Sequence, residues 1–229
     1  MKIGFTGIDL PEGKIKYKDE NLIALEEKDK PKKLTSFFAE FIRDEFIQSE
    51  AIIIPGSKIL DLLIIDIEKI EGRLARLNDK KEEELLLKCM EKLEQEIPLC
   101  DVEFNDEEEK LLKTISPYSF KPVIKIEGSE DANTIISLAL EKANYMFFYT
   151  SGPTESHAWL IKKGSDIITC AAKIHTDLAR GFIKGDVVSF EDYMKCHNFN
   201  ECKSKGLAKL VDRDYIIQPK EVIEIRFNV

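Results

Sequence analysis

Residues suited to phosphate chemistry lie close to the N-terminus, in Gly7-Ile-Asp-Leu-Pro-Glu-Gly-Lys-Ile15. A P-loop needs a glycine, four residues and then Gly-Lys-Ser/Thr. Its backbone N–H groups wrap the phosphates, the lysine reaches them and the hydroxyl binds Mg²⁺. Here five residues separate Gly7 from Gly13, and Ile15 stands where the hydroxyl belongs. The sequence therefore predicts a degenerate nucleotide site, with Gly7, Gly13 and Lys14 as its candidate residues.

Metal and nucleophile chemistry has less support in the sequence. Cys196, His197 and Cys202, with Cys170 elsewhere, are zinc-binding residue types, but they lack the paired Cys-x-x-Cys spacing of strong sites. No Ser-His-Asp, paired-carboxylate or Cys-His constellation can be located. We therefore predict no catalytic residue and no metal, and interpret the five cysteines as free thiols.

A second set of candidate residues consists of cations in the C-terminal third of the chain. Residues 157–229 hold 12 Lys/Arg against 10 Asp/Glu, whereas residues 1–156 hold 22 against 33. Bulk charge would therefore repel RNA from the first part and not from the second. Lysines bind phosphates without reading base sequence, and the alternative for each is ordinary solvated surface. The candidate RNA- or partner-binding residues are Lys162, Lys163, Lys173, Arg180, Lys184, Lys203, Lys205 and Lys209.

Composition limits the classes of protein to consider. The 229 residues are 43% hydrophobic and 34% charged, which is typical of a globular protein with room for two small domains. No apolar run reaches the length of a membrane span, and Met1 to Gly7 is too short and mixed for a secretory signal. We therefore expect a cytoplasmic protein that has no membrane partner.

The elements around the candidate nucleotide site are predicted from their apolar spacing. Lys2 to Ile8 indicates a buried first strand, and Asn21 to Glu26 a second one. Residues 37–46 carry aromatic side chains mainly at helical spacing, which predicts a helix, and residues 51–55 form a buried strand.

Residues 59–77 show the clearest periodicity in the chain. Their apolar residues recur at alternating spacings of 3 and 4, typical of one helix face, in the series Leu60, Leu63, Ile67, Ile70, Leu74 and Leu77. Leu86, Cys89 and Leu93 continue the pattern on a shorter helix. The sequence thus predicts an antiparallel helical hairpin at about residues 58–97, either purely structural or a partner-binding arm.

The following residues return to alternating strands and helices. Asn105 or Asp106 begins a helix that ends at Ile115, and residues 121–126 form a strand. A helix over 131–142 and a strand over 145–149 follow. Because Ser151-Gly-Pro153 is typical of a linker, we predict domains at residues 1–150 and 151–229.

The C-terminal part is predicted to hold one main helix among several strands. The helix covers residues 166–174, with Ser165 or Asp166 as its cap. The strands are predicted at residues 158–161, 186–189, 215–217 and 222–227. Strands that flank one main helix suit a β-grasp, ubiquitin-like sheet.

Two runs in this part resemble a known domain. They are His175-Thr-Asp-Leu-Ala-Arg-Gly-Phe-Ile-Lys-Gly-Asp-Val-Val188 and Val222-Ile-Glu-Ile-Arg-Phe-Asn-Val229. Both resemble the TGS domain that ends the YchF (Obg-like) ATPases, in which a His-Thr-Asp…Arg-Gly-Phe-Ile run and a terminal Arg-Phe-Asn-Val recur. Leu10-Pro11 and Gly13-Lys14 resemble that family's P-loop, and the hairpin resembles its coiled-coil arm. Glu127-Gly-Ser-Glu130 stands where the family has its Asn-x-x-Glu base-reading motif.

The resemblance implies a fold and a class of partner. The fold is α/β: a reduced P-loop-NTPase-like α/β domain with an inserted antiparallel helical hairpin, plus a C-terminal β-grasp TGS domain. TGS domains are usually found in proteins that act on ribosomes or tRNA, so a ribosome or RNA partner is implied.

Three hypotheses about function remain open at this point. The first is a non-catalytic YchF-like protein without a cofactor, whose TGS domain contacts ribosomal RNA or a protein partner. The second is a residual ATP- or GTP-binding protein that uses Mg²⁺ and Lys14, which the degenerate loop disfavours. The third is a scaffold that binds a protein partner through the hairpin or the β-grasp sheet.

Overall fold

The computed structural model of this chain describes residues 1–77 and 79–228. The strands are β1 (Lys2–Phe5), β2 (Gly13–Lys16), β3 (Lys33–Thr35), β4 (Phe38–Arg43), β5 (Ala51–Pro55), β6 (Val123–Ile126), β7 (Tyr145–Thr150), β8 (Glu155–Lys162), β9 (Phe182–Val188), β10 (Lys209–Val211) and β11 (Val222–Phe227). The α-helices are α1 (Glu20–Asp29), α2 (Ile59–Leu74), α3 (Lys80–Glu94), α4 (Asp106–Ile115), α5 (Ala132–Lys142), α6 (Ile167–Ile174), α7 (Thr176–Arg180), α8 (Phe190–Met194) and α9 (Phe199–Ser204).

The chain divides into two compact units, each built from two separate segments. The first unit consists of Met1–Ile15 and Ala39–Ala143, and the second consists of Lys16–Phe38 and Asn144–Val229. The predicted boundary at residues 150 and 151 is therefore wrong in position. It lies in the turn between β7 and β8, which pair antiparallel from Tyr145 to Thr150.

The sheet of the first unit has the order β2-β4-β1-β5-β6. β1 is parallel to both β4 and β5, and β5 is parallel to β6. The carboxyl ends of these parallel strands share one edge, which is where α/β sheets usually bind ligands. The loop that contains Gly7 and Gly13 leaves β1 at this edge.

Helices α2 and α3 pack on the first sheet through one apolar cluster. Ile52 and Ile54 of β5 and Val123 of β6 contribute to it together with Leu63 and Leu86, all almost fully buried. Arg73 near the end of α2 donates two hydrogen bonds to Glu82 near the start of α3, at 2.7 and 3.3 Å. The two helices thus share a core with the sheet, as a structural hairpin would.

The buried stripe of α2 differs from the predicted one. Leu60, the first residue of the predicted series, is 44% exposed. Its neighbours Ile59 and Leu62 are buried instead, and the stripe includes a carboxylate, Asp66. Asp66 accepts hydrogen bonds from the backbone N–H groups of Tyr118 and Ser119, both at 2.6 Å, which explains why an ionisable residue occupies the inner face.

The sheet of the second unit has the order β10-β9-β11-β7-β8-β3. β7 and β8 are antiparallel, β7 and β11 are parallel, and β11 and β9 are antiparallel. Helix α6 begins after β8, where the side chain of Asp166 accepts a hydrogen bond from the backbone N–H of Thr169. The main helix therefore lies where the sequence predicts it.

Both faces of this second sheet are covered. On one face, Ile167 and Cys170 of α6 pack against Phe148, Ile161 and other sheet residues. On the other face, Leu22 and Leu25 of α1 share a buried cluster with Tyr149, Tyr193 and Val222. The early segment that carries α1 is thus part of the core of the C-terminal sheet.

Two of the predicted N-terminal elements have the wrong type. Residues 21–26 lie in a helix, because Asp19 caps the backbone N–H groups of Asn21 and Leu22 and the buried residues are three apart. Residues 38–43 lie in a strand, because Ala39 and Phe41 alternate as its buried residues and β4 completes the parallel pairing with β1.

Smaller differences occur in the C-terminal part. The strand predicted at residues 215–217 is only an isolated bridge between Asp166 and Ile216. The strand next to β9 is instead β10, which pairs antiparallel with it. Strands β7, β8, β9 and β11 overlap the predicted segments, whereas Val229 of the closing run lies outside the described residues.

Candidate functional site

The loop after β1 does not lead into a helix. Gly7 has a positive φ of 69°, and Gly13 has a φ of 96° and starts strand β2. Lys14 therefore lies exposed on a strand, and the next helix begins at Glu20. In a phosphate-binding loop the lysine lies at the start of a helix whose free N–H groups face the anion. Here the backbone around Lys14 follows a different path.

Arg43 at the end of β4 holds this loop. Its guanidinium donates hydrogen bonds to Glu12 at 2.9 Å, to the carbonyl oxygen of Ile8 at 3.3 Å and to Asp9 at 3.3 Å. The hydrogen bond with Glu12, followed by that with Asp9, raises the pKa of Arg43. Two carboxylates thus lie between the glycines, and their charge would oppose a bound phosphate.

The side chain closest to Gly7 is a lysine that the sequence analysis did not single out. A Cβ atom added at Gly7 would lie 2.6 Å from Cδ of Lys58, so this side chain crosses directly over the glycine. Lys58 follows β5, the neighbour of β1, and precedes α2. The run Gly56-Ser-Lys58 after a buried strand was the available signal. The structure thus brings Gly7 close to Lys58, while Lys14 lies on β2.

The loop that follows β6 is closed by its own carboxylate. Glu130 accepts hydrogen bonds from the backbone N–H groups of Glu127 at 3.0 Å and Gly128 at 2.9 Å. These backbone hydrogen bonds lower the pKa of Glu130. The Glu130 carboxylate thus uses its oxygens to accept hydrogen bonds from its own turn, and these bonds stabilise the loop.

Half of the candidate cations in the C-terminal part are ion-paired. Arg180 pairs with Asp177 at 3.0 Å, Lys184 with Asp212, and Lys205 with Glu201 at 2.6 Å. Lys203 pairs with both Asp186 and Glu224. A phosphate would have to compete with these carboxylates, which weakens the case for the four as phosphate contacts.

The other four cations have different surroundings. Lys162 places its Nζ atom 3.8 Å from the centre of the Tyr145 ring, in a cation–π contact. Lys163, Lys173 and Lys209 are exposed, and no residue within 1–77 and 79–228 forms an ion pair with them. These three retain their full charge toward solvent.

The two runs that carry the family resemblance meet in space. Arg226 of the closing run donates hydrogen bonds to both carboxylate oxygens of Asp186, at 2.6 and 2.7 Å. Burial alone would raise the pKa of Asp186, but the hydrogen bonds from Arg226 and Lys203 outweigh it and lower that pKa. The acidic residue of one run and the basic residue of the other thus form a two-point ion pair.

Other residues of the central run also have structural roles. A Cβ atom at Gly181 would overlap the carbonyl oxygen of Asn228, and one at Gly185 would overlap the side chain of Ile167. His175 caps α7, because its Nδ1 atom accepts a hydrogen bond from the backbone N–H of Asp177 at 3.2 Å. Positions 181 and 185 therefore need glycine, and position 175 needs a side chain that accepts a hydrogen bond, for this part of the chain to fold.

Four of the five cysteines are buried, and Cys100 is partly exposed. Burial raises the pKa of Cys89, Cys170 and Cys202 to about 12. Such thiols are almost entirely protonated at neutral pH and are poor nucleophiles. Over residues 1–77 and 79–228, no group of three or more His, Cys, Asp or Glu side chains could hold a metal ion.

The charge of the chain is divided unequally between the two units. The second unit has 18 Lys/Arg against 16 Asp/Glu, and the first has 16 against 27. Of the helices in the described residues, none is long and apolar enough to cross a membrane. A polyanion would therefore meet repulsion from the first unit and a slight attraction from the second.

Comparison with known proteins finds one family and several relatives. Residues 145–228 match the family YchF-GTPase_C, described as a protein of unknown function (DUF933). The chain is 27% identical over 237 residues to the Ribosome-binding ATPase YchF of Bacillus subtilis (strain 168), which covers 74% of this chain and 65% of the relative. It is 35% identical over 94 residues to Obg-like ATPase 1 of Homo sapiens, covering 41% and 24%.

A solved structure has a similar fold. The structure of the Schizosaccharomyces pombe YchF GTPase superposes with a TM-score of 0.78 at 17% identity, covering 96% of this chain and 88% of that one. The mixed α/β fold is therefore shared. The sequence matches span only 65% and 24% of the length of the two relatives.

Proposed function

This chain is a relative of the YchF and Obg-like ATPases, and we propose that it is a non-catalytic, ribosome- or RNA-associated binding module of the cytoplasm. The observation that carries the proposal is the path of the loop after β1. Lys14 lies on strand β2, Ile15 follows it, and α1 begins only at Glu20. The proposal thus keeps the partner named for the relatives and gives up their ATPase activity.

Coordination chemistry is the reason to give up catalysis. Nucleotide hydrolysis at a P-loop needs a hydroxyl that binds Mg²⁺ and N–H groups that surround the β- and γ-phosphates. The aliphatic side chain of Ile15 offers no metal ligand, and Asp9 and Glu12 bring negative charge to the same loop. Ile15 removes a metal ligand, and the two carboxylates exceed the single positive charge of Arg43, so the net negative charge opposes the phosphates.

The strand order of the second unit supports a β-grasp, TGS-type domain. In a β-grasp sheet, a first antiparallel hairpin is followed by a helix, and the last strand lies parallel to the first. β7 and β8 form such a hairpin, α6 follows, and β11 lies parallel to β7. Within the proposal, this domain is the part of the chain that contacts the ribosome.

The contact with RNA is assigned to the cations that keep their charge toward solvent. Lys163, Lys173 and Lys209 are the best candidates, with Lys162 beside Lys163 in the turn after β8. Such contacts act on phosphates, release bound counterions and weaken as the salt concentration rises. We therefore assign the interaction to the second unit, because the first unit carries a strong excess of acidic residues.

Nucleotide titration of the purified chain tests the loss of phosphate binding. We expect no saturable ATP or GTP binding in the micromolar range with Mg²⁺, by calorimetry or fluorescence. Lys14→Ala and Lys16→Ala form a matched pair, because both lysines are exposed on β2 and only Lys14 stands in the P-loop register. Micromolar, Mg²⁺-dependent binding that Lys14→Ala alone abolishes would overturn the non-catalytic proposal.

Ribosome co-sedimentation over a salt series tests the partner. The double variant Lys162→Glu/Lys163→Glu should weaken association about tenfold or more at 0.1 M salt and reduce its salt dependence. Lys80→Glu/Lys81→Glu is the control, because it makes the same change in net charge at exposed positions of α3 in the first unit. Equal losses in both variants, or unchanged binding in the first, would contradict the assigned surface.

A further inference from the structure

The last strand of the second sheet extends beyond one of its two partners. β11 pairs antiparallel with β9 along its whole length, from Val222 to Phe227. Its pairing with β7 is limited to Val222 and Tyr149. β7 ends at Thr150 and the chain turns back into β8 at Glu155. Residues 223–227 therefore have a strand on one side and the β7–β8 turn on the other.

The backbone groups of β11 face these two sides alternately. The carbonyl oxygen of Glu221 accepts a hydrogen bond from the backbone N–H of Tyr149 at 2.9 Å, so this residue faces β7. Since alternate residues of a strand face the same side, Ile223, Ile225 and Phe227 also do. The opposite set faces β9, as the bond from Asn228 N–H to the oxygen of Gly181 shows.

The peptide groups of Ile225 are consequently without a partner strand. No hydrogen bond joins the N–H or C=O of Ile225 to the β7–β8 turn within residues 1–77 and 79–228. A strand edge with open N–H and C=O groups is a template for another strand. We call the space between residues 223–227 and the turn 151–154 the β11 gap.

Two cavities open into the β11 gap from opposite faces of the sheet. Both are bordered by Ser151, Gly152, Pro153 and Glu224. The one of about 440 Å³ lies on the α6 face, where Ile174 and Leu178 line it. The one of about 410 Å³ lies on the other face, where His197, Asn198 and Asn200 line it.

The apolar lining of one cavity and the polar lining of the other match the alternation of side chains along a strand. Successive side chains of a strand point to opposite faces, so an inserted strand would send every second side chain into each cavity. One cavity would receive apolar side chains and the other polar side chains. The position and the alternation both select an extended segment as the occupant, rather than a helix or a small molecule.

Charge at the rim of the β11 gap adds a further constraint. Three carboxylates line the two cavities, and each has a cationic partner. Glu155 pairs with Lys33 at 2.9 Å, Glu224 with Lys203 at 2.7 Å and Asp29 with Lys28 at 2.7 Å. Lys32 is exposed, and its backbone N–H donates to the oxygen of Pro153 in the turn. No carboxylate in the described residues pairs with the Lys32 side chain. The uncompensated charge at the rim is therefore the positive charge of Lys32, which would attract an acidic residue of the occupant.

We propose that the β11 gap binds an extended segment of a partner protein, which adds to β11 as a strand. The backbone of this segment bonds to Ile225 and Phe227, which face the open side. Its apolar side chains enter the cavity at Ile174 and Leu178, and its polar side chains face His197 and Asn198. An acidic residue at one end lies near Lys32. The interaction is independent of the proposed RNA contact, because it uses backbone bonds and apolar burial instead of phosphate charges.

Amide hydrogen exchange of the free protein tests the open edge directly. The amides of Ile225 and Phe227 should exchange at least tenfold faster than those of Glu224 and Arg226, which face β9. The neighbouring residues lie on the same strand and serve as internal controls for fraying. Equal protection of the two sets would show that the edge is already paired and would overturn the proposal.

Peptide binding tests the occupant. The probe is a short fluorescent peptide that alternates valine and threonine and carries glutamates at one end. Its control is the same peptide N-methylated on the backbone nitrogens of one edge. We expect saturable binding with a Kd below about 1 mM, and a Kd at least tenfold higher for the N-methylated form. Absence of binding, or equal binding of both peptides, would overturn the proposal.

A pair of protein variants locates the binding site. Phe227→Glu should weaken peptide binding at least tenfold, because Phe227 lines the apolar cavity. Leu210→Glu is the matched control, since Leu210 on β10 is 56% exposed and Phe227 is 48% exposed. Equal effects of the two variants would contradict the site. Concentration-dependent dimerisation that Phe227→Glu abolishes and the peptide does not inhibit would assign the gap to a second copy instead.

Discussion

At the scale of single residues, the two runs that resemble the C-terminal domain of the YchF family contact each other. Asp186 of the central run binds Arg226 of the closing run through both carboxylate oxygens. Gly181 lies so close to Asn228 that a side chain would overlap its carbonyl oxygen. These contacts join β9 to β11, so the residue types follow from the packing of two neighbouring strands. Their recognition in the sequence therefore indicates the fold more directly than an activity.

The ion pair of Asp186 leads to a prediction about stability. Asp186→Asn should lower the free energy of unfolding by about 1–3 kcal/mol at pH 7, because Arg226 and Lys203 lose a buried charged acceptor. The folded-state pKa of Asp186 is lowered, so its contribution is complete above the unfolded pKa and is lost as the pH falls through the folded value. The difference between wild type and variant should shrink below about pH 4.

Urea unfolding measured over a pH series checks this prediction. Asp214→Asn is a suitable control, because Asp214 is exposed and forms no ion pair within residues 1–77 and 79–228. The free energy of unfolding of Asp214→Asn should equal that of the wild type at every pH. A constant difference between wild type and Asp186→Asn from pH 7 to pH 3 would show that the effect is not electrostatic.

At the scale of elements, the sequence predicts best where the signals are local. Helix α4 starts as predicted because Asn105 and Glu108 form a reciprocal capping box. Helices α5 and α6 also start next to aspartate caps, at Asp131 and Asp166. Local hydrogen bonds to a cap are visible in the sequence, so these helices could be placed without knowledge of the rest of the chain.

Elements defined by distant partners were harder to predict. Phe38 and Phe41 of β4 are three residues apart, which is a helical spacing. Pairing with β1 makes the segment a strand instead, in which Phe41 is buried and Phe38 is exposed. The place of α1 in the second unit depends on contacts such as that with Tyr149, which is 130 residues from Asp19. The site at the β1 loop shows the same limit. That residue 15 is an isoleucine without a hydroxyl is visible in the sequence, but the proximity of Lys58 to Gly7 depends on strand order.

The docking of α1 leads to a prediction at this scale. Tyr149 donates a hydrogen bond from its hydroxyl to Asp19 at 2.8 Å, and Asp19 caps α1. Burial raises the pKa of Asp19 in spite of its hydrogen bonds, first of them that from Tyr149. Tyr149→Phe should therefore raise this pKa further and lower the free energy of unfolding by about 1–3 kcal/mol.

Thermal unfolding and backbone amide exchange in α1 check this expectation. Tyr17→Phe is the control, because the Tyr17 ring stacks on Phe147 and no hydrogen bond of its hydroxyl to residues 1–77 or 79–228 is present. Loss of protection in α1 should occur only in Tyr149→Phe. Similar behaviour of the two variants would mean that the buried bond to Asp19 contributes little.

At the scale of the whole molecule, the division of the chain predicts how fragments behave. Residues 144–229 alone lack α1 and β3, and so leave the cluster around Tyr149, Tyr193 and Val222 without Leu22 and Leu25. We expect this fragment to bind a hydrophobic dye and to unfold at a lower temperature than the second unit of the full chain. A synthetic peptide of residues 16–38 should reverse both effects, and a 16–38 peptide with Leu22→Asp and Leu25→Asp should not.

Calorimetry with and without the two peptides measures this outcome. A fragment of residues 144–229 that is fully folded and does not respond to the peptide would contradict the division. The predicted boundary at residue 151 failed for the same reason. Apolar spacing shows that α1 has a buried face, but it does not show that the buried face belongs to a sheet formed at the other end of the chain.

The membership of residues 16–38 in the second unit has a consequence for how the protein is made. A polypeptide emerges from the ribosome N-terminus first, at about 5–20 residues per second, so this segment waits for the order of ten seconds before β7 appears. During that time its apolar side chains have no native surface to cover them. Slowing translation between residues 39 and 143 would lengthen that wait, and chaperone capture of the nascent chain should concentrate there.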